Sequence, residues 1–256
     1  MSGSLCGYFI FAESISTTHA IGIAIISLLL FITGMGCNDI VDLKKDKILR
    51  PERPLPSGLI ELKHAIIVCF IFTVIAIAIS CFMSTFHLIT TLCLTLFILI
   101  YNCYAKHNIL ASISITACRV CNIILGIGSL DLDKGISIPI IIIALHTFSI
   151  MKMADGEDES SELSKLYYLF QGLIIVLLGI INIKLFILWV IFLFFAMRKK
   201  VWTQRGDRIK TVGELVMGFC VLDAVILCCY DKTIYASLAL VFWFLSKSLG
   251  KKLRAG

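Results

Sequence analysis

Residues 21–37 read IGIAIISLLLFITGMGC, a run without a single charge. About 20 such residues cross a bilayer core. Further apolar runs lie near 63–83, 86–104, 110–130, 136–153, 164–182, 184–197, 211–229 and 233–248, the first span being 17–36. A chain with this many spans must satisfy its backbone polar groups inside each one, and helices do so. Barrel strands would be short and alternating, whereas these runs are continuous. Composition agrees. Only 16% of residues are charged and 59% are hydrophobic, against about a quarter charged in soluble domains. The expected fold is an all-α, polytopic transmembrane bundle of about nine helices. Nothing divides residues 1–256 into separate domains. The region 164–197 reads either as two spans or as one hairpin of short helices.

The N-terminus, MSGSLCGYFIFAES, has no basic region and no clear cleavage site, so it does not read as a signal peptide. Nearly all eleven cysteines lie inside apolar runs, where a thiol behaves as a small hydrophobe. Cys118 and Cys121 form a solitary CxxC inside a span. The five histidines are scattered without ligand spacing and read as structural.

Basic residues sort by loop. Lys44, Lys45, Lys47, Arg50, Arg53, Lys63, Lys106, Lys152, Lys165, Arg198, Lys199, Lys200, Arg205, Arg208, Lys210, Lys247, Lys251, Lys252 and Arg254 fall on one face. Lys134, Lys184 and Lys232 fall on the other, and Arg119 lies within a span. The positive-inside rule makes the rich face cytoplasmic. The net charge of +6 therefore marks orientation and contact with anionic lipid or phosphate, not nucleic acid.

Acidic residues gather on the same face. Asn38, Asp42 and Asp46 recur at i, i+4, i+8, which on a helix leaving the membrane would give one face, with Asp39 adjacent. Like charges so placed repel, and a divalent cation is the simple compensation. Mg²⁺ prefers oxygen ligands and commonly bridges carboxylates to phosphate. The alternative is a solvated loop of mixed charge. A second cluster, KMADGEDESSE, carries Asp155, Glu157, Asp158, Glu159 and Glu162. Four spans separate the clusters, so both open on one surface and together could hold two metals across a diphosphate.

NDIVDLKKD followed by RPERPLPSG closely resembles the first signature of the UbiA superfamily of intramembrane prenyltransferases. Tyr101, Asn102 and Lys106 resemble its YxxxxK element, and Arg119, Asn122 and Gly126 an RxxNxxxG element. Leu222, Asp223 and Ala224 resemble the LDA element of the EboC-like branch. Two departures stand out. The second cluster spaces Asp155 and Asp158 as DxxD, and only Asp155 with Glu159 restores the family's spacing. LCGYFIFA (5–12) matches only the latter part of the family's first helix, so that helix is expected to be halved.

The resemblance implies an enzyme that moves an isoprenyl group from a prenyl diphosphate to an aromatic or lipid acceptor within the membrane. It implies Mg²⁺ held by Asn38, Asp39, Asp42 and Asp46 on one side and by Asp155, Asp158 and Glu159 on the other. Asp39, Asp42, Asp155 and Lys106 are the expected catalytic groups. Lys106, Arg50, Arg53 and Lys152 are expected at the diphosphate. Tyr101, Arg119 and Asn122 are expected to line the cavity; the competing reading of the last two is hydrogen bonding between helices. The expected setting is a bacterial cell membrane, with the site at its cytoplasmic side. Three other functions compete. The weak second cluster and halved first helix favour a non-catalytic relative that binds a polyprenyl or lipid phosphate. A transporter would place polar groups at the midplane. A CDP-alcohol phosphatidyltransferase would need a DG…AR…G…D…D pattern, which is absent.

Overall fold

A computed structural model describes residues 2–11, 16–105, 109–129, 137–155, 160–181, 183–196 and 205–255. Every regular element among them is helical. The order is α1 (Ser2–Phe11), α2 (Thr17–Leu49), α3 (Leu62–Met83), α4 (Thr85–Ile100) with a π-helical turn at Tyr101–Ala105, α5 (Ile109–Ile127) and α6 (Ser137–Asp155). Then come α7 (Ser160–Ile181), α8 (Ile183–Ala196), α9 (Arg205–Met217), α10 (Phe219–Cys229) and α11 (Thr233–Ala255). Six stretches among the described residues are long and apolar enough to cross a membrane: 17–49, 62–83, 85–104, 109–127, 137–154 and 211–229. The chain is an integral, multi-pass membrane protein.

Local chemistry sets the ends. Ser16 caps α2 by accepting from the His19 N–H (3.5 Å), and Tyr8 Oη accepts from the Ser16 N–H (2.7 Å). Ser84 closes α3 and opens α4. Its N–H donates to the Ser80 carbonyl, while its hydroxyl accepts from the His87 N–H (3.3 Å). One shared capping residue forces an abrupt hairpin. Gly128 ends α5 at φ +73°, a left-handed conformation that favours glycine.

Packing follows chain order from α2 through α6, each helix lying against the next, while α1 wedges between α5 and α10. Two apolar clusters result. Ile26, Leu30, Ala76, Leu94, Ile98 and Leu125 fill the first, between α2, α3, α4 and α5. The second and larger one draws on α1, α5, α6 and the C-terminal helices, around Ile123, Ile143, Trp189 and Phe219. Helix α5 contributes to both clusters and is the seam between them. Outward, α3 presents Phe70, 69% exposed, and Phe82, 92% exposed. A contiguous apolar face of this kind belongs in lipid.

Two regions gain detail. The apolar run 211–229 is long enough to span, as expected; the boundary between α9 and α10 falls inside it at Gly218, and the backbone ladder continues across, the Gly218 N–H donating to the Glu214 carbonyl and the Leu222 N–H to the Gly218 carbonyl (both 2.9 Å). Gly218 sits at that boundary, where an added Cβ would come within 2.7 Å of a second Phe192 ring atom while overlapping the first. The region 164–197 is two helices, α7 and α8, packed on one another.

Candidate active site

The opening run does not end as a helix where its apolarity ends. α2 continues to Leu49, carrying Asn38, Asp39, Asp42 and Asp46 out of the bundle on a rigid rod. It stops at Arg50 (φ −148°, ψ 59°), because Pro51 disfavours helical geometry in the residue before it. Consecutive packed helices run up and down, so the C-terminal ends of α2 and α6 emerge at one end of the bundle. Asp42 and the Asp155 backbone share that end.

Beneath it lies a cavity of about 370 Å³ between α2, α4 and α5. Asn38, Tyr101 and Asn102 stand at its mouth, Leu30, Phe31, Leu94, Ile98 and Ile115 form an apolar shaft, and Ser27, Arg119 and Asn122 close its floor. Eleven residues of α2 separate Ser27 from Asn38, a drop of about 16 Å. At the floor Ser27 Oγ donates to Asn122 Oδ1 (2.7 Å), tying α2 to α5. Arg119 lays its guanidinium over the Phe219 ring, 4.2 Å from the centroid, and lies within Coulombic reach of Asp223. Asp223 is buried, with the Ser2 hydroxyl and the Arg119 guanidinium as the polar groups near its carboxylate. At the mouth Asn102 Nδ2, in the π-helical turn, donates to the Ile98 carbonyl (2.9 Å), one turn back in α4. π-Helical turns often mark functional positions.

The α2 side chains do not all face this cavity. At about 100° per residue, Asn38 and Asp46 differ by about 80°, whereas Asp39 and Asp46 differ by only about 20°. Asn38 lines the cavity; Asp39 and Asp46 line a second hollow of about 280 Å³ on the flank toward α3. There Arg53 Nη1 donates to Asp46 Oδ2 (2.7 Å) and to Asp39 Oδ1 (3.4 Å). Asp42, partly buried, falls between the two faces. The single face expected from i, i+4, i+8 spacing is thus two faces, because eight residues overshoot two turns. Among the described residues, no three His, Cys, Asp or Glu side chains converge to hold a metal ion.

The remaining candidates are distributed as follows. Arg50 is exposed at the end of α2. Lys152 is half-buried on α6, its Nζ 5.6 Å from the Phe148 ring centroid. Lys106, Asp158, Glu159 and the Asp155 side chain lie outside the described residues. Cys118 and Cys121 are free thiols on α5 packed against the first apolar cluster. Sequence reasoning missed Ser27 and Phe219. A serine alone in an apolar run was the available signal for Ser27; Phe219 gave none. A buried network was also unforeseen, in which Gln171 Nε2 donates to Ser149 Oγ (2.7 Å) and lies 3.1 Å from His146 Nδ1.

Several solved structures share the fold. A digeranylgeranylglyceryl phosphate synthase superposes with a TM-score of 0.66 at 18% identity, over 91% of each chain. A UbiA homologue from Archaeoglobus fulgidus, bound to geranyl diphosphate (GPP) and Mg²⁺, gives 0.54 at 12% identity, over 96% of this chain and 94% of the other. An apo UbiA homologue from Aeropyrum pernix K1 gives 0.58 at 15%, over 96% and 94%. At these identities they establish fold. No curated protein sequence matches the chain. The model of the UbiA prenyltransferase family matches residues 1–203, which takes in the α2 signature, the π-helical turn and every residue of the cavity; the chain belongs to that family.

Proposed function

We propose that this family member binds a prenyl diphosphate with its head at the α2 mouth and its tail in the shaft below. The prenyl group is then handed, with Mg²⁺ as cofactor, to an aromatic or lipid acceptor. The carrying observation is the cavity itself, polar at the mouth, apolar along the shaft and about 16 Å deep. The A. fulgidus homologue binds GPP and Mg²⁺, which supports the same ligand pair here. The basic loop count supports a cytoplasmic mouth, in a bacterial cell membrane.

The donor set suits the ion. The Asn38 amide oxygen and Asp42 carboxylate are hard oxygen ligands carried on one rigid helix, the kind Mg²⁺ takes together with substrate phosphate. Asp155, Asp158 and Glu159 would complete the set from α6 and the segment after it. When bound, Mg²⁺ supplies positive charge against the departing diphosphate. Arg50, Lys106 and Lys152 add basic groups on the same face. Ionisation of the allylic C–O bond leaves an electron-poor carbon that an acceptor nucleophile captures. Leu30, Phe31, Leu94 and Ile98 keep water from that carbon, and Tyr101 and Asn102 border the end at which it forms.

The test is incubation of the purified protein in detergent with Mg²⁺, labelled prenyl diphosphates of several lengths and a membrane lipid extract. Mg²⁺-dependent diphosphate release with a labelled lipid-soluble product is expected. Tight prenyl diphosphate binding without release, unchanged by Asp155→Ala, would instead assign a carrier role. The DxxD spacing of the second cluster is the feature that favours that role.

A further inference from the structure

We infer that Asp39 and Asp46 are positioning residues: with Arg53 they clamp loop 50–61 against the flank of α2, and do not ligate metal. The orientation is the first ground. Both carboxylates lie about a quarter-turn or more from Asn38, on the side away from the cavity, and line the other hollow. The second ground is occupancy. One nitrogen, Arg53 Nη1, reaches both carboxylates, and the Asp46 side chain is only 8% exposed. A charge-assisted hydrogen bond of 2.7 Å to a buried carboxylate is among the stronger side-chain contacts. A divalent ion on these two groups would stand beside a guanidinium and would have to expel it.

The backbone gives a third ground. The Asp46 carbonyl accepts from the Arg50 N–H (2.8 Å), the last helical bond of α2, so the loop leaves the helix one turn beyond the side chain that grips it. From Arg53 onward the loop folds on itself. The Ser57 N–H donates to the Arg53 carbonyl (2.9 Å) and the Ile60 N–H to the Pro54 carbonyl (3.0 Å). Gly58 takes φ +81°. Pro51, Pro54 and Pro56 restrict the chain further. The aspartates of α2 thus divide the work. Asn38 and Asp42 remain for the cavity mouth, while Asp39 and Asp46 fix the loop that follows α2. That division rests on the prenyl-transfer reading; the clamp does not.

Hydrogen–deuterium exchange of loop 50–61 in the purified full chain tests the clamp directly. Asp46→Asn and Arg53→Gln should each exchange about tenfold faster there, and Asp42→Asn should not. The reciprocal double variant, Asp46→Arg with Arg53→Asp, should restore protection, which no metal-ligand role for Asp46 could explain. In the activity arm, with GPP as donor, Asp42→Asn should raise the half-saturating Mg²⁺ about tenfold. Asp46→Asn should leave the Mg²⁺ requirement within twofold while raising KM for GPP. Unchanged loop exchange in Asp46→Asn, or a Mg²⁺ shift equal to that of Asp42→Asn, would overturn the inference. A wild-type protein with no prenyl chemistry would refute the functional reading alone, and the exchange data would still decide the clamp.

Discussion

Gly126 lies where α1 crosses α5, one turn beyond Asn122. An added Cβ there would overlap the Ser4 carbonyl oxygen and come within 2.7 Å of the Ser4 carbonyl carbon and 2.9 Å of the Tyr8 nitrogen. All three are backbone atoms, so no rotamer change relieves them. Carbon atoms rest at about 3.5 Å or more, so α1 would have to retreat by roughly 0.8 Å or more. Gly7 repeats the constraint from the other helix, with its hypothetical Cβ 2.5 Å from the Ile123 carbonyl oxygen. Small residues that let membrane helices approach closely act in this way. Overpacking of this kind costs about 1–3 kcal/mol or more, offset by at most about 1 kcal/mol of helix propensity gained by Gly→Ala. A net loss near 2 kcal/mol corresponds to roughly 4–8 °C in Tm for a chain of this size. The control is Gly172→Ala on α7, where an added Cβ meets nothing within 4 Å; it should match or slightly exceed the wild type. Thermal unfolding of the three proteins in one detergent reads the difference. If Gly126→Ala melts with Gly172→Ala, the close approach of α1 to α5 is wrong, and so is the placement of the cavity floor.

Other outcomes follow from the same geometry. A double-mutant cycle of Ser27→Ala and Asn122→Ala should return a coupling of about 0.6 kcal/mol, and no more than about 1.7 kcal/mol, the range for hydrogen bonds between membrane helices; zero coupling would remove the α2–α5 tie. Gly34 lines the shaft with its hypothetical Cβ in ordinary contact, 3.7 Å from Ile98. Gly34→Phe should therefore fold with an unchanged Tm yet lose GPP binding in a filter or calorimetric assay. Retained affinity would place the tail elsewhere.

The helices were legible because lipid imposes a length and an apolarity that sequence displays directly. The run 63–83 reappears as Leu62–Met83 almost unchanged. What apolarity cannot show is where a helix stops once it leaves the bilayer. α2 runs on to Leu49, and only Pro51 signals its end. Nor can it show the close approach of Gly218, inside 211–229, to the Phe192 ring, a tertiary contact. The α2 signature was visible as a string, but spacing by four drifts around the helix. Only the structure separates the cavity-facing Asn38 from the Arg53-bound Asp46. The Arg119–Phe219 stack and the His146–Gln171 contact join residues far apart in the chain, and no local pattern announces either.

The central claim is that one cavity receives both the diphosphate head and the prenyl tail, the head held at Asn38 and Asp42. Anomalous diffraction from crystals grown with Mn²⁺ and a non-hydrolysable thio-analogue of GPP tests it most directly. The account predicts an anomalous peak against Asn38 and Asp42, with the tail running down between Leu30, Leu94 and Ile98 toward Asn122. A peak seated between Asp39 and Asp46 with Arg53 displaced, or a tail lying in the hollow beside α3, would contradict it.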